Sequence, residues 1–254
     1  MAIAPGRARR PGATQPKLGD PTPEELASCP FCAGHEEMTP PETLVLPEEG
    51  AWRVRVVPNL YPALERQEVV VHTPDHRRTI ADLDDEQLAL VAEAWQRRRG
   101  DKSGGYLHAL INEGREAGSS LPHTHSQLAW LPGPPPPEPP RRGETVAERG
   151  RVSAWCPWVS RLPYECAVAP VGSEPDGFAS NALGEALQLL AELVRKLRAL
   201  EGEVPLNAWL HNDDSGWRLV LLPRLSVLAG LELGAAVYVN TLPPEEAAMR
   251  LQAA

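Results

Sequence analysis

The centre of the chain carries the segment Asn112-Glu113-Gly114-Arg115-Glu116-Ala117-Gly118-Ser119-Ser120-Leu121-Pro122-His123-Thr124-His125-Ser126-Gln127. Two histidines separated by one residue follow a turn rich in glycine and serine, whose backbone N–H groups and hydroxyls can surround an anion. We predict that Gly118, Ser119 and Ser120 lie around this anion. Because a turn that enters a strand lets neighbouring side chains diverge, His123 and His125 can take different tasks. The segment indicates a site for phosphate chemistry.

His125 is the predicted nucleophile of this site. A neutral imidazole attacks phosphorus near pH 7 without a costly deprotonation, and a nearby backbone carbonyl can fix its tautomer. Gln127 lies two residues further along the same strand face, where its amide can donate a hydrogen bond to a phosphate oxygen. Attack would give a nucleotidyl-histidine intermediate. The alternative is a surface loop that merely happens to be rich in His and Ser.

A second cluster of metal-binding residue types lies far upstream. Cys29 and Cys32 supply two thiolates from one tight turn, and zinc prefers four sulfur or nitrogen ligands in a tetrahedron. His76 follows a predicted strand, and His123 would complete the set. With all four positions filled by protein, the zinc would be structural and would not activate water. Redox chemistry at the cysteine pair is the alternative, and three histidines are rival ligands: His35, His72 and His108.

Composition limits the classes of function. The chain has 254 residues, is 42% hydrophobic and 23% charged, and carries a net charge of -9. That charge argues against a surface that binds nucleic acid backbone. No apolar run reaches the roughly 20 residues of a membrane helix. Residues 1–20 lack an apolar signal core, so we expect a disordered lead-in and a cytoplasmic protein. Cys156 and Cys166 lie in apolar surroundings and are predicted to be buried, inert thiols.

Hydrophobic periodicity predicts the same order of elements twice. In the first half, strands are expected at 52–57, 68–72, 106–111 and 125–131, with a helix at 82–99 capped by Asp82. In the second half, strands are expected at 164–169 and around 208–210 and 217–222, with a long helix from Ser180 or Asn181 to Gly202. The fold class is therefore α+β, with two fused halves that each form an antiparallel sheet with a packed long helix.

The predicted halves span 21–131 and 144–254. Between them, residues 132–143 contain seven prolines. Such a segment cannot enter a sheet interior and favours extended polyproline geometry, so we read it as an exposed loop. The zinc ligands and the catalytic motif all belong to the first half.

The residues of both clusters resemble a known family. His123-Thr124-His125-Ser126-Gln127 is similar to the His-x-His-x-Gln motif in the transferase branch of the histidine-triad superfamily, typified by galactose-1-phosphate uridylyltransferases. Cys29-Pro30-Phe31-Cys32 resembles the zinc turn of that family, Thr73-Pro74-Asp75-His76 its third zinc-ligand segment, and 57–64 a segment that helps hold the nucleotide. The resemblance covers most of 29–251.

The resemblance implies a double-displacement nucleotidyltransferase whose halves are histidine-triad-like. His125 would attack the α-phosphate of a nucleotide sugar and release a sugar 1-phosphate, and a second sugar phosphate would collect the nucleotidyl group. It places Ser120 and Gln127 at the phosphates, Asn59 and Asn112 at the nucleotide, and Glu232 near the sugar. Glutamine relays protons poorly, which favours transfer over hydrolysis.

The resemblance also marks a departure and leaves alternatives open. Family members often carry a His-x-His pair before the Pro-Arg step that can hold a second metal, but this chain has Gly216-Trp217-Arg218 there. One structural zinc site is therefore expected, and this departure leaves a second metal doubtful. The base, the sugar and the acceptor are left open, so an ADP-sugar phosphorylase of the same mechanism is the runner-up. A non-catalytic nucleotide-binding protein and a zinc-dependent hydrolase are further alternatives. A homodimer is compatible with the family's folds.

Overall fold

The computed structural model of the protein describes residues 2–3, 21–100, 105–135 and 142–254. The strands within these residues are β1 (Ala2–Ile3), β2 (Leu44–Leu46), β3 (Val54–Pro58), β4 (Gln67–Val71), β5 (Tyr106–Glu113), β6 (His125–Leu131), β7 (Gly143–Arg149), β8 (Val152–Pro157), β9 (Cys166–Pro170), β10 (Leu206–Asp213), β11 (Gly216–Pro223) and β12 (Val239–Asn240). The α-helices are α1 (Pro23–Ser28), α2 (Asp85–Arg99), α3 (Leu183–Glu201), α4 (Gly230–Ala235) and α5 (Pro244–Ala253).

One ten-stranded sheet carries the fold, in the order β2-β3-β4-β6-β5-β10-β11-β9-β8-β7. All of its neighbouring strands are antiparallel. The order on one side of the β5–β10 pair mirrors the order on the other side. In each half, three strands in sequence precede a long helix and a hairpin, and the last strand of the hairpin pairs with the third strand. This topology confirms the predicted α+β fold and the duplicated unit, but the two predicted sheets are one continuous sheet.

Both long helices cover the same face of the sheet. Strand β5 shows the alternation: Leu107, Ala109 and Ile111 are buried beneath the helices, and the residues between them are half-buried on the opposite face. Helix α3 buries an apolar stripe against the core, and it also packs against α2. The face without helices is therefore free to carry polar side chains from β4, β5 and β6.

Several predicted boundaries shift because local hydrogen bonds decide where elements begin. Helix α2 begins at Asp85, since the side chain of Asp84, and not that of Asp82, accepts from the N–H of Gln87 at 2.7 Å. Asp82 instead ends a short 3-10 turn. Strand β9 begins at Cys166, because Tyr164 has a φ of 58° that no strand residue adopts.

The start of α3 and the second pair of cysteines follow the same logic. Helix α3 begins at Leu183, and the hydroxyl of Ser180 accepts from the N–H of Ala182 just before it. Cys156 and Cys166 are fully buried free thiols with their sulfurs 3.7 Å apart. The hydrogen bond between them and their burial raise the pKa of Cys166 well above its usual range, so that thiol stays protonated.

The two segments predicted to lack regular structure lie mostly outside the described residues. Of the predicted lead-in, only Ala2–Ile3 is described, and it pairs in parallel with Val239–Asn240. Residues 136–141 of the proline-rich loop are likewise outside the described part of the chain. No helix among the described residues is both long enough and apolar enough to cross a membrane.

Candidate metal centre and active site

The four predicted metal ligands come together at one place. One ligand atom each from Cys29, Cys32, His76 and His123 lies within 4.8 Å of every other. Nδ1 of His123 is 3.3 Å from the sulfur of Cys29 and 3.7 Å from that of Cys32, and Nδ1 of His76 is 3.3 Å from the sulfur of Cys32. Zinc bonds of about 2.3 Å to sulfur and 2.0 Å to nitrogen, at tetrahedral angles, place such ligands about 3.5 Å apart. The donor set fits one tetrahedral metal ion.

The rest of each ring is held so that Nδ1 faces the cluster. Nε2 of His76 lies 2.8 Å from Oε1 of Glu25, and Arg78 binds the other oxygen of the same carboxylate at 2.6 Å. Nε2 of His123 lies 3.0 Å from the carbonyl oxygen of Thr73. Such partners fix the tautomer of a metal-binding histidine. Glu25 and Arg78 escaped the sequence reasoning, because nothing in the sequence places α1 against 73–78.

The electrostatics of the cluster suit a cation. Burial and the neighbouring Cys29 thiol raise the pKa of Cys32 to about 12, and burial lowers the pKa of His123 to about 4. The imidazole of His123 is therefore neutral and offers a lone pair, whereas the thiol of Cys32 needs a nearby positive charge to become a thiolate. The rival histidines are engaged elsewhere: His35 bonds the carbonyl of Cys29 at 2.7 Å, and the ring of His108 stacks on Tyr106.

His125 occupies the first position of β6, directly beside the metal cluster. Its Nδ1 lies 2.6 Å from the carbonyl oxygen of His123, to which it donates, so that Nε2 carries the free lone pair. Burial lowers the pKa of His125, which keeps the ring neutral. The ring of Phe31, from the cysteine turn, contacts His125 and His123 edge-on, with centroids 5.2 Å and 5.9 Å away. The turn that would bind the metal therefore also forms one wall of the His125 site.

Gln127 lies on the same face of β6 as His125, and a second glutamine orients its side chain. Its Oε1 accepts from Nε2 of Gln67 at 2.5 Å, so its own amide hydrogens remain available to a ligand. The Oε1 of Gln67 in turn accepts from the N–H of Ala63, and its carbonyl accepts from the N–H of Asn59. Gln67 thus connects the β3–β4 loop with Gln127. The sequence gives no hint of this role, because the pairing of β4 with β6 appears only in the sheet.

The predicted phosphate loop follows β5 and needs its glycines. Gly118 has a φ of +89° and Gly114 has a φ of +81°. A Cβ atom at Gly114 would also lie only 2.8 Å from the side chain of Pro205. Side chains other than hydrogen are strained at both positions. The hydroxyl of Ser119 donates to the carbonyl of Leu121 at 2.9 Å, whereas Ser120 is exposed. Of the two serines, Ser120 is therefore the better placed to meet an anion.

Asn112 links the loop to the C-terminal half. Strand pairing sets Leu110 opposite Gln127, and the same register continued along β5 brings Asn112 level with His125. The Oδ1 of Asn112 accepts from Nδ2 of Asn207 at 2.8 Å, and that amide also bonds the carbonyl of Ala117. Asn207 is itself held by Arg224 at 3.0 Å. The second half therefore supports the geometry of the first through the β5–β10 junction.

The side chains of the two remaining predicted residues accept hydrogen bonds from backbone N–H groups close to them in the chain. Asn59 begins the β3–β4 loop, and its Oδ1 accepts from the N–H of Tyr61 at 2.9 Å. Glu232 lies on α4, where its carboxylate accepts from the N–H of Ala229 at 2.8 Å. Their predicted roles at a nucleotide and a sugar stay predictions.

The C-terminal half does not repeat the metal cluster. On β11, the counterpart of β6, Arg218 pairs with Asp213 at 3.5 Å, and His211 bonds the same carboxylate at 2.8 Å. Within the described ranges, the cluster of two cysteines and two histidines in the first half is the one group of this kind that could hold a metal. Because a guanidinium is positively charged and has no lone pair to offer, Arg218 is not a metal ligand on β11.

Residues of the two neighbouring clusters lie in a part of the chain that is similar to a known family. Residues 62–131 match the family model described as galactose-1-phosphate uridyl transferase, N-terminal domain. This range holds His76, His123, His125 and Gln127, together with the whole phosphate loop.

Individual relatives cover nearly the whole chain. An ADP-glucose phosphorylase of Arabidopsis thaliana is 26% identical in an alignment of 311 positions, which covers 98% of this chain and 88% of the relative. A galactose-1-phosphate uridylyltransferase of Streptomyces lividans is 28% identical in an alignment of 307 positions, which covers 93% of this chain and 85% of the relative. The solved structure of an ADP-glucose phosphorylase from Arabidopsis thaliana with bound ADP-glucose superposes with a TM-score of 0.85 at 23% identity, covering 99% of this chain and 94% of that one. At that identity the structural match establishes the shared fold alone.

Proposed function

We propose that this protein is a nucleotidyltransferase that moves a nucleoside monophosphate from a nucleotide sugar to a second phosphate through an intermediate on His125. The observation that carries the proposal is the orientation of His125. Its Nδ1 is bound by the carbonyl of His123, so Nε2 is a neutral nucleophile on the same strand face as the free amide of Gln127. This geometry suits in-line attack on a phosphate.

The proposed reaction has two displacement steps. In the first, the lone pair of Nε2 attacks the α-phosphorus, the new P–N bond forms, and the bond to the bridging oxygen breaks, releasing a sugar 1-phosphate with the electron pair. In the second, a phosphate oxygen of the acceptor attacks the same phosphorus, and the P–N bond returns its electrons to His125. The amide of Gln127 and the donors of the loop would bind the phosphoryl oxygens as charge develops.

Zinc is the metal we propose for the cluster, because two thiolates and two imidazoles in a tetrahedron suit it best. Cys29, Cys32, His76 and His123 would hold it and would leave no open position for water. Its contribution is then structural: it would fix the cysteine turn, and with it Phe31, against the ring of His125.

Two reactions of this type are candidates, and they differ in the nucleotide sugar and in the acceptor. A uridylyltransferase would exchange two sugar 1-phosphates, whereas a phosphorylase acting on an ADP-sugar would use inorganic phosphate as the acceptor. The uridylyltransferase is the first candidate. The match to an ADP-glucose phosphorylase over 98% of the chain supports the phosphorylase as an alternative to it. Both use the same intermediate on His125, and the homodimer stays a prediction in either case.

Intact-mass spectrometry after brief exposure to UDP-glucose or to ADP-glucose tests both candidates. With one of the two substrates, the protein should gain the mass of one covalently bound nucleoside monophosphate. This adduct should be lost again when glucose 1-phosphate or inorganic phosphate is added. The matched control is His125→Asn, which keeps a polar side chain of similar reach but cannot form the P–N bond. Adduct on the Asn variant, or no adduct on the wild-type protein with either substrate, would refute the proposal.

A further inference from the structure

A chain of hydrogen bonds runs behind the catalytic strand, on the face that the helices cover. His72 is completely buried at the centre of this chain, with Nδ1 3.0 Å from the hydroxyl of Thr124 and Nε2 3.0 Å from the hydroxyl of Ser126. The hydroxyl of Thr124 donates to Oε1 of Glu113 at 3.0 Å, and the indole N–H of Trp95 donates to Ser126 at 2.8 Å. All five side chains are at least nine-tenths buried.

The direction of the hydrogen bond from Thr124 to Glu113 sets the arrangement of protons in this chain. Thr124 has a single hydroxyl proton and uses it on Glu113, so it must accept from Nδ1–H of His72. A neutral His72 then has a bare Nε2, which accepts from the hydroxyl of Ser126, and Ser126 accepts from Trp95. Every group in the series thus has a defined partner, and buried networks of this kind rigidify the elements they join.

The chain is attached to the catalytic strand at two alternate positions. Thr124 and Ser126 point behind β6, where they bond His72 and Trp95, while His123, His125 and Gln127 belong to the metal cluster and the substrate face. Because Thr124 lies between the two histidines, its position fixes the peptide whose carbonyl orients His125. The hydrogen bond to that carbonyl and the edge of Phe31 both orient the ring of His125.

Both ends of the chain are held by other elements. Oε1 of Glu113 also accepts from the N–H of Ile80 at 2.6 Å, and His72 is tied through its carbonyl to the side chain of Gln87 at 2.5 Å. Trp95 is a fully buried residue of α2. The strand is thus fastened from behind to α2, β4 and the end of β5, elements that form the rigid core.

We propose that His72 and Glu113 are positioning residues of the transferase, which hold His125 and Gln127 in register for attack by clamping Thr124 and Ser126 from behind the strand. The proposal rests on the proposed function for its effect on turnover, but the clamp is a structural statement in its own right. Because His72 is completely buried behind the strand, it acts only through the strand.

Substitution of Thr124 separates the clamp from the rest of the site. Thr124→Val keeps the shape and removes the central hydroxyl, whereas Thr124→Ser restores the hydroxyl. For Thr124→Val we expect nucleotidyl transfer to slow by about tenfold to a hundredfold, the loss produced when a reacting group is misplaced by about 1 Å. KM for the nucleotide sugar should change little, and Thr124→Ser should recover most of the rate. Zinc content and melting temperature identify a variant that has simply lost its fold or its metal.

A tethering experiment distinguishes positioning from a general loss of structure. In a His125→Gly background, free imidazole can serve as a nucleophile that is not attached to β6. We expect Thr124→Val to have little further effect on the imidazole-dependent rate there, because the clamp acts only on an attached ring. The strand threonine Thr145, exposed on β7, offers the matched control Thr145→Val, which should leave both rates unchanged. An equal loss in both backgrounds would overturn the proposal.

NMR of the histidine rings tests the clamp even if the proposed function fails. With 15N-labelled histidine, His72 should appear as the neutral Nδ1–H tautomer, and Thr124→Val should change the ring signals of His125 without displacing those of His76. An Nε2–H tautomer for His72, or unchanged His125 signals in Thr124→Val, would refute the clamp. Absence of transfer in the wild-type protein, with the NMR result as expected, would refute the proposed function alone.

Discussion

Replacing Glu113 by glutamine should change how the stability of the protein depends on pH. Glu113 lies at the end of β5 and is 5% exposed. Its Oε1 is bound by Thr124 and Ile80, but its Oε2 makes no hydrogen bond to a described residue. Burial raises the pKa of this carboxyl from 4.5 to about 7. Glutamine keeps the accepting oxygen and the shape, and removes the ionisation.

The sign and size of the effect follow from the two pKa values. Between pH 4.5 and pH 7 the folded protein holds a proton that the unfolded chain releases, so the free energy of unfolding falls as the pH rises through this window. Above pH 7 the charge is buried in the folded state, and the full cost is reached. With 1.36 kcal/mol for each pKa unit, the raised pKa of Glu113 destabilises the wild-type fold by about 3 kcal/mol at pH 8.5. Glu113→Gln escapes this cost.

Urea unfolding of both proteins at pH 5 and pH 8.5 measures the effect. The difference in free energy of unfolding between Glu113→Gln and wild type should grow by about 2–3 kcal/mol in favour of the variant as the pH rises between these values. Other titrating groups, including the metal ligands, act equally on both proteins and cancel in the difference. Equal metal content should be verified at each pH.

Two outcomes would refute the reasoning. A difference that stays constant with pH would mean that Glu113 has an ordinary pKa, which its burial does not allow. A difference that widens towards low pH would mean that the carboxylate, and not the acid, is the form that the fold prefers.

Three further predictions concern the metal, the partition of the intermediate and the loop. Removal of the metal by a strong chelator should lower the melting temperature sharply, since structural zinc contributes about 10 kcal/mol or more in small domains; unchanged melting after verified removal would contradict the site. Gln127→His should raise the share of the His125 intermediate lost to water, measured as free nucleoside monophosphate per turnover, because imidazole relays protons; an unchanged share would contradict the role of Gln127. Gly118→Ala should cost about 1–2 kcal/mol in urea unfolding, since Gly118 has a φ of +89°, whereas Gly133→Ala, with open space around it, should cost less.

The sequence by itself determined the chemistry and the class of fold. The residue types and spacing of Cys29, Cys32, His123 and His125 are local features, and a thiol pair or a His-x-His step carries its chemistry wherever it lies. The repeated order of strands and a long helix followed from hydrophobic periodicity, which depends only on neighbouring residues. His76 was selected among several histidines because it follows a strand, and the structure brings it to the other three ligands.

Tertiary structure decided which residues support that chemistry. Gln67 meets Gln127, Asn207 meets Asn112, and His72 meets Thr124 only because β4, β6, β5 and β10 are neighbours in one sheet. Contacts between residues that are 52 to 95 positions apart are set by strand register, which a single sequence does not contain. The same holds for the joining of the two halves into one sheet, because the edges that pair at β5 and β10 are decided by how both apolar faces are buried beneath α2 and α3.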